Sequence, residues 1–100
     1  MLKLLLTHQE LETVKEILKK HIPNYEVWAF GSRVTGKAKK FSDLDLVIIT
    51  TKKFDIKILF ALNESFSDSN LPFKVDIVEW LPLNDFFHEN LKSNHIVIQK

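Results

Sequence analysis

The sequence contains no cysteine, which excludes disulfides, thiolate metal sites and a cysteine nucleophile together. Glycine is scarce: there are two, at positions 31 and 36, and both fall in one connector. Charge excess is lacking as well. A formal net charge of +1 argues against a protein whose main task is to coat nucleic acid, and no direct nucleic-acid binding is expected. No apolar run reaches the length of a membrane span. The opening Met-Leu-Lys-Leu-Leu-Leu is too short, and polar helix-forming sequence follows it directly. Internal repeats, low-complexity stretches and linkers are absent. What remains is 100 residues, 45% hydrophobic and 27% charged, the composition of one soluble globular domain over 1–100. A cytoplasmic protein without membrane association is expected.

Thr7 to Glu10 fits a capping box, a Thr N-cap with Glu three residues on. Leu11, Val14, Ile17, Leu18 and Ile22 then recur at helical spacing until Pro23. Residues 25–30 are nearly continuous β-branched and aromatic, a buried strand that stops at Gly31-Ser32. Leu44 to Ile49 is a second strand, apolar on both faces and so central. Residues 54–66 are ambiguous in period, but their length favours a helix. That helix is apolar nearly all round, which marks one side for a partner or a second copy of the chain. Lys74 to Trp80 is a third strand closed by Pro82, and Asn84 to Lys92 a last helix capped by Asn84 or Asp85. His95 to Gln99 reads as either a short strand or an irregular tail. The expected fold is therefore α/β or α+β, a small mixed three-stranded sheet with flanking helices in the order α-β-α-β-α-β-α.

Chemistry concentrates between the first two strands. A strand that runs into Gly31-Ser32 and then a short helix presents free backbone N–H groups, an anion site. Gly31 to Lys37 satisfies G-x-x-x-x-G-K, but Ala38 stands where a P-loop needs Ser or Thr, and the next strand begins too soon for the long helix. Ser32 caps the short helix and can hydrogen-bond a phosphate. Arg33 is the basic residue best placed to neutralise one, with Lys37, Lys39 and Lys40 otherwise read as a solvated loop.

Asp43 and Asp45, two apart at a strand start, project from one face. Two unit charges about 4 Å apart repel by roughly 4 kcal/mol at an effective dielectric near 20. A divalent cation relieves that cost, and oxygen-only donors point to Mg²⁺ or Mn²⁺. A third acid should come from the next strand. Asp76 and Glu79 are the candidates, facing opposite sides, and Asp76 is chosen because it interrupts the apolar run. The competing reading of Asp76 is a salt-bridged aspartate on an edge strand. His8, His21, His88 and His95 show no ligand spacing and read as surface residues, while Trp28, Trp80 and the phenylalanines read as core.

Gly31-Ser32, ten further positions and Asp43-Leu44-Asp45 together resemble the signature of the DNA polymerase β-like nucleotidyltransferases. Arg33, Gly36, Ser42, Leu46 and Val75-Asp76-Ile77-Val78 extend the likeness to the minimal nucleotidyltransferases, the MntA-type antitoxins that pair with HEPN-domain ribonuclease toxins. The resemblance implies that Asp43, Asp45 and Asp76 are the catalytic, metal-holding residues for two Mg²⁺ ions. It also implies that Gly31, Ser32, Arg33 and Ser42 hold the nucleotide, with ATP as substrate. The implied reaction is attack of a hydroxyl on the α-phosphorus of ATP with release of pyrophosphate. With no second domain expected, the acceptor would come from a partner chain, and the resemblance to the antitoxins implies a tyrosine of a HEPN-domain toxin encoded by a neighbouring gene. The helix at 54–66 and Phe86-Phe87 are the surfaces expected to meet that toxin or form a homodimer. The alternative is a binding module that neutralises the toxin by occlusion; transfer to a small molecule is a weaker third reading.

Overall fold

The structure, a computed structural model, describes residues 2–81 and 85–100. Pro82 and Asn84, expected to close the third strand and to cap the last helix, lie outside the described residues. The elements are α1 (His8–His21), β1 (Val27–Phe30), α2 (Ser32–Thr35), β2 (Leu44–Ile48), α3 (Ile56–Ser67), β3 (Val75–Glu79), α4 (Asp85–Ser93) and β4 (Ile96–Gln99). The sheet order is β3-β2-β1-β4. β1 runs antiparallel to both β2 and β4, whereas β2 and β3 are parallel. The sheet thus has four strands rather than three. Ile96–Gln99 resolves as an edge strand because β1, with only β2 on one side, would otherwise leave its other edge unpaired.

The capping box forms as expected: Thr7 Oγ1 accepts from the Glu10 amide at 3.1 Å, and Glu10 Oε1 accepts from the Thr7 amide at 2.9 Å. Two of the orphan donors at the helix start are satisfied in this way. Asp55 caps α3 through the Lys57 amide at 2.8 Å, which settles residues 56–67 as helix. One sheet face carries Val27 and Ala29 from β1, Leu44, Leu46 and Ile48 from β2, and Ile98 from β4. Val14 and Leu18 of α1 and Leu62 and Phe66 of α3 cover that face and form the main core. Each fully buried aliphatic side chain there contributes roughly 1.5–3 kcal/mol of transfer free energy.

Period-2 alternation sends Trp28, Phe30, Asp45, Val47, Asp76, Val78 and Trp80 to the opposite face. Half of that face is aromatic. His95 stacks on Trp28 with centroids 3.7 Å apart, and His88 on Trp80 at 3.9 Å. The two tryptophans meet edge to face at 5.4 Å, and Phe30 meets Phe87 at 6.1 Å. Nε2 of His88 is 2.7 Å from the Trp80 carbonyl, and Nδ1 of His95 is 2.7 Å from that of Leu91. Each of those nitrogens therefore donates. His21 also has a partner, Ser65 Oγ at 2.7 Å. Three of the four histidines are thus packing residues, which corrects the surface reading. Missing ligand spacing, the ground of that reading, does not bear on burial.

The other half of that face, beside the Gly31 turn, is where the acids gather.

Candidate active site

Parallel pairing of β2 with β3 sets Asp45 directly opposite Asp76, and antiparallel pairing with β1 sets Asp45 opposite Phe30. Register partners on neighbouring strands share a face, so the two carboxylates and the Gly31 turn form one row across three strands. Asp43 precedes β2 by one residue, on the same side as Asp45 by period 2, and is exposed. The three acids chosen from sequence therefore lie on one side of one sheet end.

Gly31 shows why this end is built as it is. Its backbone, φ 78 and ψ −157, lies in a region reached almost only by glycine. A Cβ there would collide with Asp45 Oδ2 and lie 3.2 Å from its Cγ. The Asp45 carboxylate thus rests against bare backbone at the turn that opens α2. The Gly31 carbonyl accepts from the amides of Val34 and Thr35 at 3.0 and 3.1 Å. The N-cap is Gly31 and no side chain caps α2, so Ser32, its first residue, does not cap it as expected; the first amides of α2 have no partner within the helix. Gly36, at φ 85, closes α2 through its amide, which donates to the Ser32 carbonyl, with open space where a Cβ would stand. α2 is a single short turn, which removes the P-loop alternative.

Burial, then the charge of Asp76, then that of Asp43, pushes the Asp45 carboxyl above the ordinary carboxylate range. Asp45 is half-buried at the centre of the row, so it carries the cost of crowding. The donors are all hard carboxylate oxygens, which fits Mg²⁺ or Mn²⁺ and not zinc. Among the described residues, no group of three His, Asp or Glu side chains stands close enough to be a ready-made metal cage. Asp76 is not an acid within a buried strand, as its sequence context suggested. β3 is the sheet edge, the Asp76 side chain is 54% exposed, and Lys74 Nζ lies 4.0 Å from its Oδ1. Asp76 shares the face of Asp45, but the burial premise is corrected, and its place on an edge strand beside Lys74 is that of the competing reading.

Arg33 was expected to face phosphate and does not. It is 6% exposed. Its Nε donates to the Ser42 carbonyl at 2.9 Å, Nη1 to Leu5 at 2.7 Å and Nη2 to Lys40 at 3.1 Å. The guanidinium also lies over the Phe73 ring, 4.1 Å from its centroid. Ser42 Oγ accepts from the Lys39 amide at 2.8 Å, which closes its own loop. Lys37, Lys39 and Lys40 are exposed. Sequence reasoning missed the N-terminal residues: the amides of Lys3 and Leu5 donate to the carbonyls of Val34 and Arg33 at 3.3 and 2.8 Å. The alternating Leu2, Leu4 and Leu6, which pack on the core, were the available signal.

A family model described as a nucleotidyltransferase domain matches residues 11–98. The chain belongs to the nucleotidyltransferase domain family. It is 48% identical over 92 residues to a Haemophilus influenzae protein named "Probable protein adenylyltransferase MntA", covering 92% of this chain and 81% of the relative. The nucleotidyltransferase fold recurs in a solved toxin-antitoxin complex with AMP-PNP, TM-score 0.72 and 19% identity, covering 88% of this chain and 71% of that one. A tri-AMPylated Shewanella oneidensis HEPN toxin with its MNT antitoxin aligns at TM-score 0.62 and 17% identity, covering 88% and 67%. A spectinomycin adenyltransferase from Enterococcus faecialis with ATP and spectinomycin aligns at 0.58 and 20%, covering 92% of this chain but 48% of that one. At these identities the solved structures establish the fold. As a nucleotidyltransferase, the chain is an enzyme by family. No helix among its described residues is long and apolar enough to cross a membrane.

Proposed function

We propose that this nucleotidyltransferase transfers AMP from ATP to a hydroxyl of a HEPN-domain partner protein and acts as the antitoxin of that pair. The observation that carries the reading is the row itself: Asp45 opposite Asp76 in register, with the Gly31 backbone against the Asp45 carboxylate. The 48% identity to a protein named as an adenylyltransferase supports AMP transfer to protein. Asp43, Asp45 and Asp76 would hold two Mg²⁺ ions. Such ions stabilise the entering and leaving oxygens of an in-line displacement.

The chain's own residues do the rest. The amides after Gly31 and the Ser32 hydroxyl would receive phosphate oxygens, while the missing Cβ of Gly31 leaves room for the Asp45 carboxylate beside them. Asp76, exposed on the edge strand, is the acid that an incoming hydroxyl can reach, and its carboxylate orients that group. The hydroxyl oxygen bonds to the α-phosphorus as the bond to the β-phosphate bridging oxygen breaks. Pyrophosphate leaves, and the hydroxyl proton passes to solvent.

Incubating the chain with labelled ATP, Mg²⁺ and the HEPN-domain product of its neighbouring gene tests this. Label is expected on a partner tyrosine with the native chain and not with Asp45→Asn. Neutralisation of the toxin that persists in full with Asp45→Asn would instead establish occlusion as the mechanism.

A further inference from the structure

We infer that Arg33 is a positioning residue, a buried brace that fixes the two acid-bearing segments, the entries of β2 and β3, against the Gly31 turn, and not a ligand of the nucleotide. The inference rests on the reading of Asp43, Asp45 and Asp76 as the reacting end. Arg33 lies two residues after Gly31 in α2. Two arms of its fork close the loop that leads into β2, on the carbonyls of Lys40 and Ser42. Ser42 directly precedes Asp43. The third arm holds the carbonyl of Leu5, while the Arg33 carbonyl accepts from the Leu5 amide, so the N-terminal segment is bonded to Arg33 in both directions. The flat face of the guanidinium covers Phe73, three residues before Asp76. The Lys74 carbonyl between them accepts from the Leu44 amide at 2.9 Å, which joins the entries of β2 and β3.

One cation in α2 thus ties together three other segments, at Leu5, at 40–42 and at Phe73. A planar fork with donors on three separate nitrogens and a flat face over Phe73 spans these partners, which the single nitrogen of an ammonium does not. At 6% exposure, hydrogen bonds to the three carbonyls offset the cost of burying it. Removing the fork leaves those carbonyls without a donor and frees the loop that aims Asp43 and Asp45. Misplacement of a reacting group by about 1 Å costs on the order of a hundredfold in rate. The loss should therefore fall on turnover rather than on nucleotide affinity.

The test compares Arg33→Lys with the native chain by amide hydrogen exchange and by AMP transfer to the HEPN-domain partner. Exchange over residues 39–46 should accelerate by about tenfold or more, with α1 unchanged as the internal reference. The value of kcat should fall by about tenfold or more, with KM for ATP held within about threefold. Unchanged exchange overturns the inference, as does a KM for ATP that rises with kcat preserved, the behaviour of a phosphate ligand. Should Arg33→Lys not fold, Phe73→Leu takes its place. That variant keeps the three hydrogen bonds but removes the ring beneath them, and must show the same two changes at about threefold or more. If the native chain transfers no AMP, the proposed function fails, yet the exchange comparison still decides whether Arg33 braces the loop.

Discussion

Asp45 sits where its ionised form is disfavoured, so removing its charge should stabilise the metal-free protein. Asp45 and Asp76 are register partners on adjacent parallel strands, so their carboxylates are spaced on the order of 5 Å apart. Two full charges at that distance repel by about 3 kcal/mol at an effective dielectric near 20 and by about 0.8 kcal/mol in bulk water. The Asp76 side chain is 54% exposed and has Lys74 Nζ at 4.0 Å, which places the net value near the lower bound, about 1 kcal/mol. Asp45→Asn preserves shape beside Gly31 and should raise Tm in EDTA at neutral pH by about 4–8 °C. The pH dependence has a fixed sign. Because the folded carboxyl is raised above 3.8, the folded chain keeps its proton to higher pH than the unfolded chain. Stability is therefore lost as pH rises through the interval between the two values, and the full penalty is present above it. The Asn variant's advantage should be largest at neutral pH and shrink as the pH falls into the ordinary aspartate range. Mg²⁺ should raise the Tm of the native chain more than that of Asp45→Asn. An Asp45→Asn variant that melts at or below the native temperature in EDTA at pH 7 would refute the crowding argument.

The two glycines should separate cleanly. Gly31→Ala combines a glycine-only backbone with a collision on the Asp45 carboxylate, so it should cost about 1–3 kcal/mol or more and abolish AMP transfer. Gly36→Ala meets open space, so it should cost about 1 kcal/mol and leave transfer measurable; urea titration and a labelling assay read both. Thr7→Ala removes the α1 cap and should lower stability by about 1 kcal/mol without altering ATP affinity. His88→Ala loses both its stack on Trp80 and its bond to the Trp80 carbonyl. A cost of about 1–2 kcal/mol is expected; an unchanged urea midpoint would restore the surface reading of that histidine.

What could be read from sequence was whatever local chemistry alone decides. The capping box, the Pro23 stop and the central strand, read as Leu44–Ile49 and found at Leu44–Ile48, each rest on a few adjacent residues. β4 was left open because four residues of Ile-Val-Ile-Gln carry too little period, and only the vacant edge of β1 selects a strand there. Arg33 was misjudged for a related reason. A basic residue after Gly-Ser looks the same in sequence whether its fork meets a phosphate or three carbonyls, and two of those carbonyls belong to a loop seven to nine residues away.

Asp76 makes the same point from the opposite side. It was selected as an acid in a buried strand, yet β3 lies at the sheet edge and the side chain is more than half exposed. The selection reached the right face because parity along the strand, not burial, separates Asp76 from Glu79. Glu79 falls on the side of Val75 and Ile77, which pack on the core, whereas Asp76 falls in register with Asp45. Under the proposed transfer, edge placement also suits an acid that must meet a partner's hydroxyl. A carboxylate beneath a fifth strand would be closed to an incoming hydroxyl, whereas at the sheet edge it lies open to a second protein while its register with Asp45 holds it to the row.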